Sequence, residues 1–220
     1  MTDNFSNFLI IDSASSSVMR IGVSLSNGDA PYLEMHDRFK YSESIMTMID
    51  EVLHRENLTL NSLKGIIIST GPGSFTGLRV GMAVAKGLAV SLKIPLLGIS
   101  IFNAVVERIY ANYKETAVVI PSRREEYYLG FISDYHFNEK GIKVVAEIEL
   151  KANIGNAYLF AVDCDREKMG SFCDKIIEEN GPSILDFLAA GMKKLAQFGS
   201  DDIASLEPLY VQKFPTRKSV

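Results

Sequence analysis

The chain has 220 residues, of which 47% are apolar and 23% carry a charge, a composition typical of a globular protein with one or two lobes. The net charge of −4 argues against a protein whose main task is to grip nucleic-acid phosphates, which needs clustered lysine and arginine. Two cysteines are too few for a disulfide framework. Neither a basic leader nor an apolar stretch of spanning length is recognisable, so the sequence predicts a cytoplasmic protein without a membrane partner.

The start of the chain has the pattern of a three-stranded antiparallel meander. The apolar run Phe8–Asp12 predicts a buried strand, and residues 19–25 alternate between apolar and polar as a half-exposed neighbour does. The turn sequence Asn27-Gly28-Asp29 separates this second strand from a third at Tyr32–Met35.

Helices and strands alternate after the meander. A helical pattern begins at Ser42 and ends near residue 57. The elements that follow in order are a strand at residues 65–69, a glycine-rich junction, a helix at Phe75–Leu92, a strand at residues 95–98 and a helix at residues 101–113. Such alternation predicts a parallel extension of the sheet.

The second half of the chain repeats this order of elements. Strands are predicted at residues 116–120, Glu126–Ser133, 142–150 and 158–162, and helices at residues 172–178 and Ile184–Phe198. A repeated order without a flexible linker indicates a duplicated, two-lobed α/β molecule. We therefore expect an N-terminal lobe over residues 1–100 and a C-terminal lobe over residues 101–220.

The junction between the fourth predicted strand and the second predicted helix is rich in glycine. Glycine permits close approaches and positive φ angles, and serine or threonine can cap the helix. One interpretation is a tight structural turn, and the other is an anion or nucleotide site at the helix N-terminus. In the second interpretation the contacts come from Gly71, Gly73, Ser74, Thr76 and Arg79. The spacing matches neither the dinucleotide fingerprint nor a P-loop, so the residues leave both interpretations open.

The helix at Phe75–Leu92 is apolar on nearly all sides, with Arg79 and Lys86 as its charged residues. One face can meet its own sheet, and the other, which holds small residues such as Gly87, must meet something else. The preceding helix adds Met46, and methionine is common at adaptable binding surfaces as well as in cores. Interface and core are equal alternatives for this apolar surface.

No set of residues forms an evident catalytic constellation. The histidines are scattered and no cysteine cluster or carboxylate-rich loop appears, so we expect neither a catalytic residue nor a metal site. Asp12 ends the first strand where actin-type ATPases place a phosphate loop, but Ala14 stands where that loop usually has glycine, which argues against intrinsic ATP hydrolysis. Arg123 is a candidate anion contact, and Asp163 belongs to a charged turn that we expect to be solvated.

Three segments together resemble the TsaB (YeaZ) family: residues 8–15, the helix start Tyr41-Ser42-Glu43-Ser44, and the glycine junction with the later Ala85-Lys86-Gly87-Leu88-Ala89. The resemblance is close from residue 8 to about residue 100. It implies a two-lobed actin-like, Hsp70-like (ASKHA) α/β fold built from two duplicated halves, each a β-meander plus α/β units. It also implies a role in the synthesis of threonylcarbamoyladenosine next to the tRNA anticodon.

The resemblance implies a non-catalytic partner rather than an enzyme. In this family TsaB dimerises with its relative TsaD and activates it; TsaD transfers the threonylcarbamoyl group, and the ATPase TsaE assists through the complex. TsaB alone forms a homodimer, its contact with tRNA is indirect, and ATP or ADP is suggested only at the junction with TsaD. TsaD also carries a His-x-x-x-His metal motif, and the matching positions here are Ile101 and Val105, which cannot bind a metal.

Family complexes pair through the first two helices of the N-terminal lobe, which implies a partner interface on this chain. The residues expected there are Ile45, Met46, Ile49, Val52, Leu53, Met82, Ala85, Lys86 and Gly87. The alternative is an ATP-dependent small-molecule kinase or a peptidase of the same superfamily. A kinase needs an intact phosphate loop, and a peptidase needs a base beside a nucleophile such as Ser74.

Overall fold

The computed structural model describes residues 5–15, 17–109, 113, 115–178 and 181–211, and its first half forms a mixed five-stranded sheet. The strands are β1 (Phe8–Asp12), β2 (Met19–Val23), β3 (Tyr32–Met35), β4 (Gly65–Gly71) and β5 (Leu96–Ser100). Their order in the sheet is β3-β2-β1-β4-β5. Because β1 pairs antiparallel with β2 and parallel with β4, the predicted meander and its parallel extension are both confirmed.

The second half of the chain forms a second sheet of the same design. The strands are β6 (Glu115–Pro121), β7 (Glu126–Ser133), β8 (His136–Phe137), β9 (Lys143–Ala146), β10 (Tyr158–Ala161) and β11 (Ile176–Glu178). The order is β11-β10-β6-β7-β8, and β9 also pairs with β7. β6 pairs antiparallel with β7 and parallel with β10, as β1 does with β2 and β4. The predicted duplicated, two-lobed α/β fold is therefore confirmed.

Helices α1 (Tyr41–Arg55) and α2 (Phe75–Leu92) cover one face of the first sheet. Side chains alternate along a strand, so Leu9 and Ile11 of β1 pack into the core that these two helices share with the sheet. Phe8 and Ile10 point to the opposite face. The α1 and α2 helices thus shield the outer side of the N-terminal lobe.

Helices α3 (Ile101–Arg108) and α6 (Ile184–Phe198) belong to the core that joins the two lobes. This core contains Ile67 of the first sheet together with Val118 and Phe160 of the second. The face of the second sheet turned away from it packs against α4 (Glu147–Ile154) and α5 (Arg166–Gly170). Each sheet is therefore covered on both faces.

Two predicted elements of the C-terminal lobe are wrong. The strand expected at residues 142–150 ends as β9 at Ala146, and α4 begins at the next residue, where two glutamates in the first turn suit the positive end of a helix. The helix expected at residues 172–178 is absent there: the short α5, capped by the Asp165 carboxylate, ends earlier at Gly170, and residues 176–178 form β11. The β-branched Ile176 and Ile177 favour a strand, and a parallel neighbour in β10 was available.

Helix α2 is long and apolar enough to cross a membrane by length and composition, with a mean hydropathy of 1.3 over 18 residues. The expectation that no segment reaches spanning length was therefore wrong. A core helix of a globular protein passes the same test, and α2 packs on the first sheet through Met82, Ala85 and Ala89.

Residues 201–211, which we call the strap, return from the end of α6 to the first lobe. The Asp201 amide donates to the Leu96 carbonyl (3.0 Å), and the Leu209 amide donates to the Thr70 carbonyl (2.8 Å). Ile203 and Leu206 pack against the core beneath α1 and α2. A division at residue 100 thus separates the two sheets, while α6 and the strap return to the first of them.

Candidate functional site

A cleft of about 230 Å³ lies between the lobes, at the carboxyl ends of β1, β4, β6 and β10. The carboxyl ends of parallel strands are where open α/β sheets bind ligands, because the loops that follow the strands converge there. The residues that line the cleft are Ala14, Ser15, Gly73, Ser74, Phe75, Leu78, Ile101, Ile120, Pro121, Ser122, Arg123, Tyr128, Asp163, Leu209, Tyr210 and Val211.

Asp12 lies at the end of β1, almost fully buried, and its charge is balanced within the chain. Its carboxylate lies 3.6 Å from the Arg20 guanidinium, which also donates to Glu34 at 2.9 Å. The Asp12 carboxylate further accepts the Ala14 amide at 3.3 Å. Burial raises the pKa of Asp12 to about 6 even though Arg20 lowers it, and the negative charge of Asp163 adds to the rise. Arg20 is thus the residue that keeps this carboxylate in place.

The glycines of the junction allow α2 to pack directly on the loop after β1. A Cβ on Gly73 would lie 2.1 Å from the Ala14 carbonyl oxygen, and one on Gly77 would lie 2.1 Å from the Ser13 carbonyl oxygen. A Cβ on Gly81, one turn further on, would lie 2.1 Å from the Ser13 hydroxyl oxygen. No side chain fits at those distances, so the glycine spacing serves close packing of helix on loop.

Two of the five predicted anion contacts line the cleft. Gly73 and Ser74 do so, although the Ser74 amide already donates to the Ala14 carbonyl (2.7 Å) and its hydroxyl accepts the Gly77 amide (3.3 Å) as a helix cap. Gly71 is buried, with a φ of +92° that suits glycine. Thr76 and Arg79 are exposed and are not cleft residues. Anion binding at the junction stays a prediction. Of the five residues predicted to contact the anion, Gly73 and Ser74 line the cleft.

Arg79 is exposed on α2 and contacts two aromatic side chains. Its guanidinium carbon sits 3.8 Å from the centre of the Phe75 ring, and its Nε donates to the Tyr210 hydroxyl at 3.4 Å. The Phe75 and Tyr210 rings are themselves in contact, with their centres 5.9 Å apart. Arg79 therefore joins α2 to the strap.

Asp163, which the sequence places in a charged turn predicted to be solvated, is half-buried and lines the cleft. It follows β10, and its negative charge acts on Asp12 of the other lobe. Its backbone is in the left-handed region, with a φ of +54°. Arg123 follows β6 and also lines the cleft. The duplication was the signal for both residues, since β6 and β10 occupy the places that β1 and β4 hold in the first sheet.

Most of the predicted partner interface lies inside the protein. Six of its nine residues are buried in the core between α1, α2 and the first sheet, and they are not available to a partner: Ile45, Ile49, Val52, Leu53, Met82 and Ala85. Met46 is 44% exposed, Lys86 is half-buried, and Gly87 has open space where a side chain would be. Helical spacing finds the residues of one face correctly, but here that face packs on the chain's own sheet.

The positions that match the metal motif of TsaD are core positions in this chain. Ile101 and Val105 lie on α3 and are buried between the lobes. Among the residues described, no three histidine, cysteine or carboxylate side chains are grouped so that they could hold a metal ion.

Comparisons with known proteins agree with the fold. The family model for TsaD, tRNA N6-adenosine threonylcarbamoyltransferase, matches residues 38–157, which is more than half of the chain. Among the solved structures, YeaZ from Pseudomonas aeruginosa has a TM-score of 0.71 at 17% identity and covers 94% of this chain and 100% of its own. At that identity the likeness shows the fold.

Curated relatives carry the name tRNA threonylcarbamoyladenosine biosynthesis protein TsaB. The one from Buchnera aphidicola (subsp. Schizaphis graminum) is 35% identical over 37% of this chain and 39% of its own length, and the one from Haemophilus influenzae is 33% identical over 47% and 45%. The chain thus spans less than half the length of the curated relatives it matches. The family model, which matches more than half of the chain, shows that the chain belongs to the tRNA N6-adenosine threonylcarbamoyltransferase (TsaD) family.

Proposed function

We propose that this chain is a non-catalytic partner protein in tRNA threonylcarbamoyladenosine biosynthesis, which dimerises with a TsaD-type transferase and activates it. The names of its relatives support the pathway. The partner role rests on the exposed side of α2. Ala83, Gly87 and Val90 lie there about one helical turn apart, and Val90 is 63% exposed. Met46 adds an exposed apolar side chain on α1.

This surface suits a helix of another protein. Ala83 and Gly87 project little from α2, so a partner backbone can approach closely, and packed helices lie about 8–10 Å apart when the residues at their contact are small. Burying an apolar side chain such as Val90 contributes roughly 1.5–3 kcal/mol. In the absence of TsaD the same surface pairs two copies of this chain, which gives the homodimer.

The residues of the cleft support the non-catalytic part of the proposal. The Asp12 carboxylate is engaged by Arg20, and the Ala14 carbonyl by the Ser74 amide. The Ser74 hydroxyl accepts the Gly77 amide as the cap of α2, which argues against Ser74 as the nucleophile of a peptidase. We assign ATP or ADP to the junction with TsaD, TsaE to a role through the complex, and tRNA to TsaD, in keeping with the net charge of −4 on this chain.

The decisive experiment mixes the purified chain with the TsaD-type protein of the same organism. We expect a stable heterodimer, and Met46→Asp or Gly87→Arg should raise its Kd at least a hundredfold and abolish tRNA modification, because a charge is desolvated at the contact. Ile148→Asp is the matched control, since Ile148 is 91% exposed on α4 of the other lobe.

Three results would contradict this proposal. The first is the absence of any complex between the unaltered proteins. The second is unchanged binding in both α1 and α2 variants. The third is ATP turnover by the isolated chain that Asp12→Ala abolishes, which would favour the kinase alternative.

A further inference from the structure

A second cavity, of about 420 Å³, lies between α3, α6 and the short strand β8. It is larger than the cleft, which has about 230 Å³, and no residue lines both. The Phe102 ring of α3 stacks on the Phe137 ring of β8, with the ring centres 4.4 Å apart, and this contact holds β8 against the helix. We call this cavity the α3–α6 groove. Its size is that of a site for a small ligand or for a side chain of another protein.

Two exposed aromatic side chains line the α3–α6 groove. Phe198, the last residue of α6, is 80% exposed, and Tyr135, in the turn between β7 and β8, is 42% exposed. Asp134 and Tyr135 have φ angles of +47° and +64°, in the left-handed region that a bulky side chain rarely adopts. The chain therefore keeps two large rings in water beside one cavity, which indicates a surface that a ligand covers.

The lysines of the α3–α6 groove are already neutralised. Lys193 pairs with Glu107 at 3.1 Å, and Lys194 pairs with Asp201 at 2.6 Å. Glu139 also lines the groove, and in the part of the chain that the structure describes no ion pair or hydrogen bond engages its carboxylate. The groove therefore has an excess of negative charge, which opposes a phosphate or carboxylate ligand and favours a cation.

The uncharged polar groups of the groove can all accept hydrogen bonds. The His136 Nδ1 atom lies 2.8 Å from the Asp134 carbonyl oxygen, and because that oxygen only accepts, Nδ1 carries the proton and Nε2 of the neutral ring is an acceptor. The carboxamides of Asn103 and Gln197 line the groove and have no hydrogen-bond partner among the described residues. Together with the Glu139 carboxylate, which only accepts, these groups favour a ligand rich in donors.

We propose that the α3–α6 groove binds the guanidinium group of an arginine side chain that another protein presents. A guanidinium is a planar cation with five N–H donors and no acceptor, and it stacks on aromatic rings. These properties match the rings of Tyr135 and Phe198, the negative charge of Glu139 and the acceptors of the groove. Covering the largely exposed Phe198 ring takes a surface larger than a free guanidine, so we assign the arginine to a protein. This site does not rest on the proposed function.

Binding is measured by NMR titration of the full chain with the peptide Gly-Arg-Gly, blocked at both ends. The matched ligand has citrulline in place of arginine, because its urea group has nearly the same shape as the guanidinium but no charge. We expect the arginine peptide to bind about tenfold more tightly and to shift the side-chain amide signals of Asn103 and Gln197. Equal affinities, or shifts confined to residues outside the groove, overturn the proposal.

Two variants test the charge and the ring separately. Glu139→Gln and Phe198→Ala each remove one exposed group and should raise the Kd of the arginine peptide about threefold or more. The matched controls are Glu149→Gln, an exposed carboxylate on α4, and Phe39→Ala, an 81% exposed ring of the first lobe. The controls should leave the Kd unchanged. If the groove variants behave like the controls, the peptide binds elsewhere and the assignment is wrong.

Two further ligands test which group is recognised and where it comes from. Gly-Lys-Gly has the same charge but no planar donor group, so it should bind about threefold more weakly than the arginine peptide, and equal binding overturns the guanidinium assignment. Agmatine carries a guanidinium without a peptide and should also bind about threefold more weakly, because it covers less of Phe198. Agmatine that binds as tightly as the peptide overturns the assignment to a protein.

Discussion

The Ser74 amide donates a 2.7 Å hydrogen bond to the Ala14 carbonyl, which ties the start of α2 to the loop after β1. The amide and the carbonyl belong to the two loops that would have to hold an anion in the cleft. The Ser74 amide is therefore engaged within the chain, and the glycines make room for the loop that supplies its acceptor. This relationship explains why the motif is so rich in glycine without matching a nucleotide fingerprint.

Two alanine substitutions in α2 should have opposite effects on stability. Gly77→Ala places a methyl group 2.1 Å from the Ser13 carbonyl oxygen, and we expect it to lower the free energy of unfolding by about 1–3 kcal/mol. Gly87→Ala enters open space and should raise that free energy by up to about 1 kcal/mol through helix propensity. Urea denaturation of both variants measures the difference. Equal effects would show that the glycines do not mark close packing.

Asp12 should make the protein less stable as the pH rises. Its pKa is about 6 in the folded chain against 3.8 when unfolded, so between these values the folded state binds the proton more tightly. This stabilisation is complete below about pH 4 and is lost as the pH rises through 6, a change of roughly 3 kcal/mol at about 1.4 kcal/mol per unit. Asp12→Asn removes the titrating group and should flatten the curve of unfolding free energy against pH. Parallel curves for the two proteins would contradict the assignment.

The ion pair between Lys194 and Asp201 should contribute more to stability than the pair between Lys193 and Glu107. Asp201→Ala removes the carboxylate that accepts from the Gly98 amide and the Lys194 ammonium, and we expect the free energy of unfolding to fall by about 1–3 kcal/mol. Lys193→Ala breaks only an exposed pair with Glu107 and should cost less than about 1 kcal/mol. Thermal and denaturant unfolding measure both losses. If Lys193→Ala lowers the free energy of unfolding as much as Asp201→Ala does, the contacts of Asp201 do not anchor the strap to β5.

The correction to the partner interface predicts which variants affect folding. Ile49→Ala, in the core under α1, should lower the free energy of unfolding by about 2–5 kcal/mol, whereas Met46→Ala should change it by less than about 0.5 kcal/mol. Urea unfolding distinguishes the two variants through the shift in the midpoint, provided that the m-value is unchanged. A large loss for Met46→Ala would mean that this side chain contributes to the core and not to a surface.

Much of the fold was predictable because the spacing of apolar residues along the sequence is clearly helical in some segments and alternating in others. The bounds of α2, β7 and α6 agree with the predicted elements, since long apolar patterns and helix caps such as Ser183 mark them. The failures fall in the C-terminal lobe, where α4, α5 and β11 have three to eight residues each. In elements that short, the period of the pattern is not repeated often enough to distinguish a helix from a strand.

The candidate site was predictable only in part. The junction from Gly71 to Arg79 correctly indicated the carboxyl-end edge of the first sheet as the place of the cleft. Asp163 and Tyr210 come from distant parts of the chain, and no local pattern predicts that they line the cleft. The helical spacing of Ile45 and Ile49 identified one face of α1 without saying what covers it.

The sequence by itself determined the longer strands and helices, which residues share a face, and that the order of elements is duplicated, because these depend on local periodicity and turn chemistry. Only the tertiary structure decided which face of α1 and α2 is buried, that the glycines of the junction and of α2 pack on Ala14 and Ser13, and that the strap crosses back to β5. These are contacts between segments far apart in the chain, and a local pattern contains no information about which distant surface will lie against it.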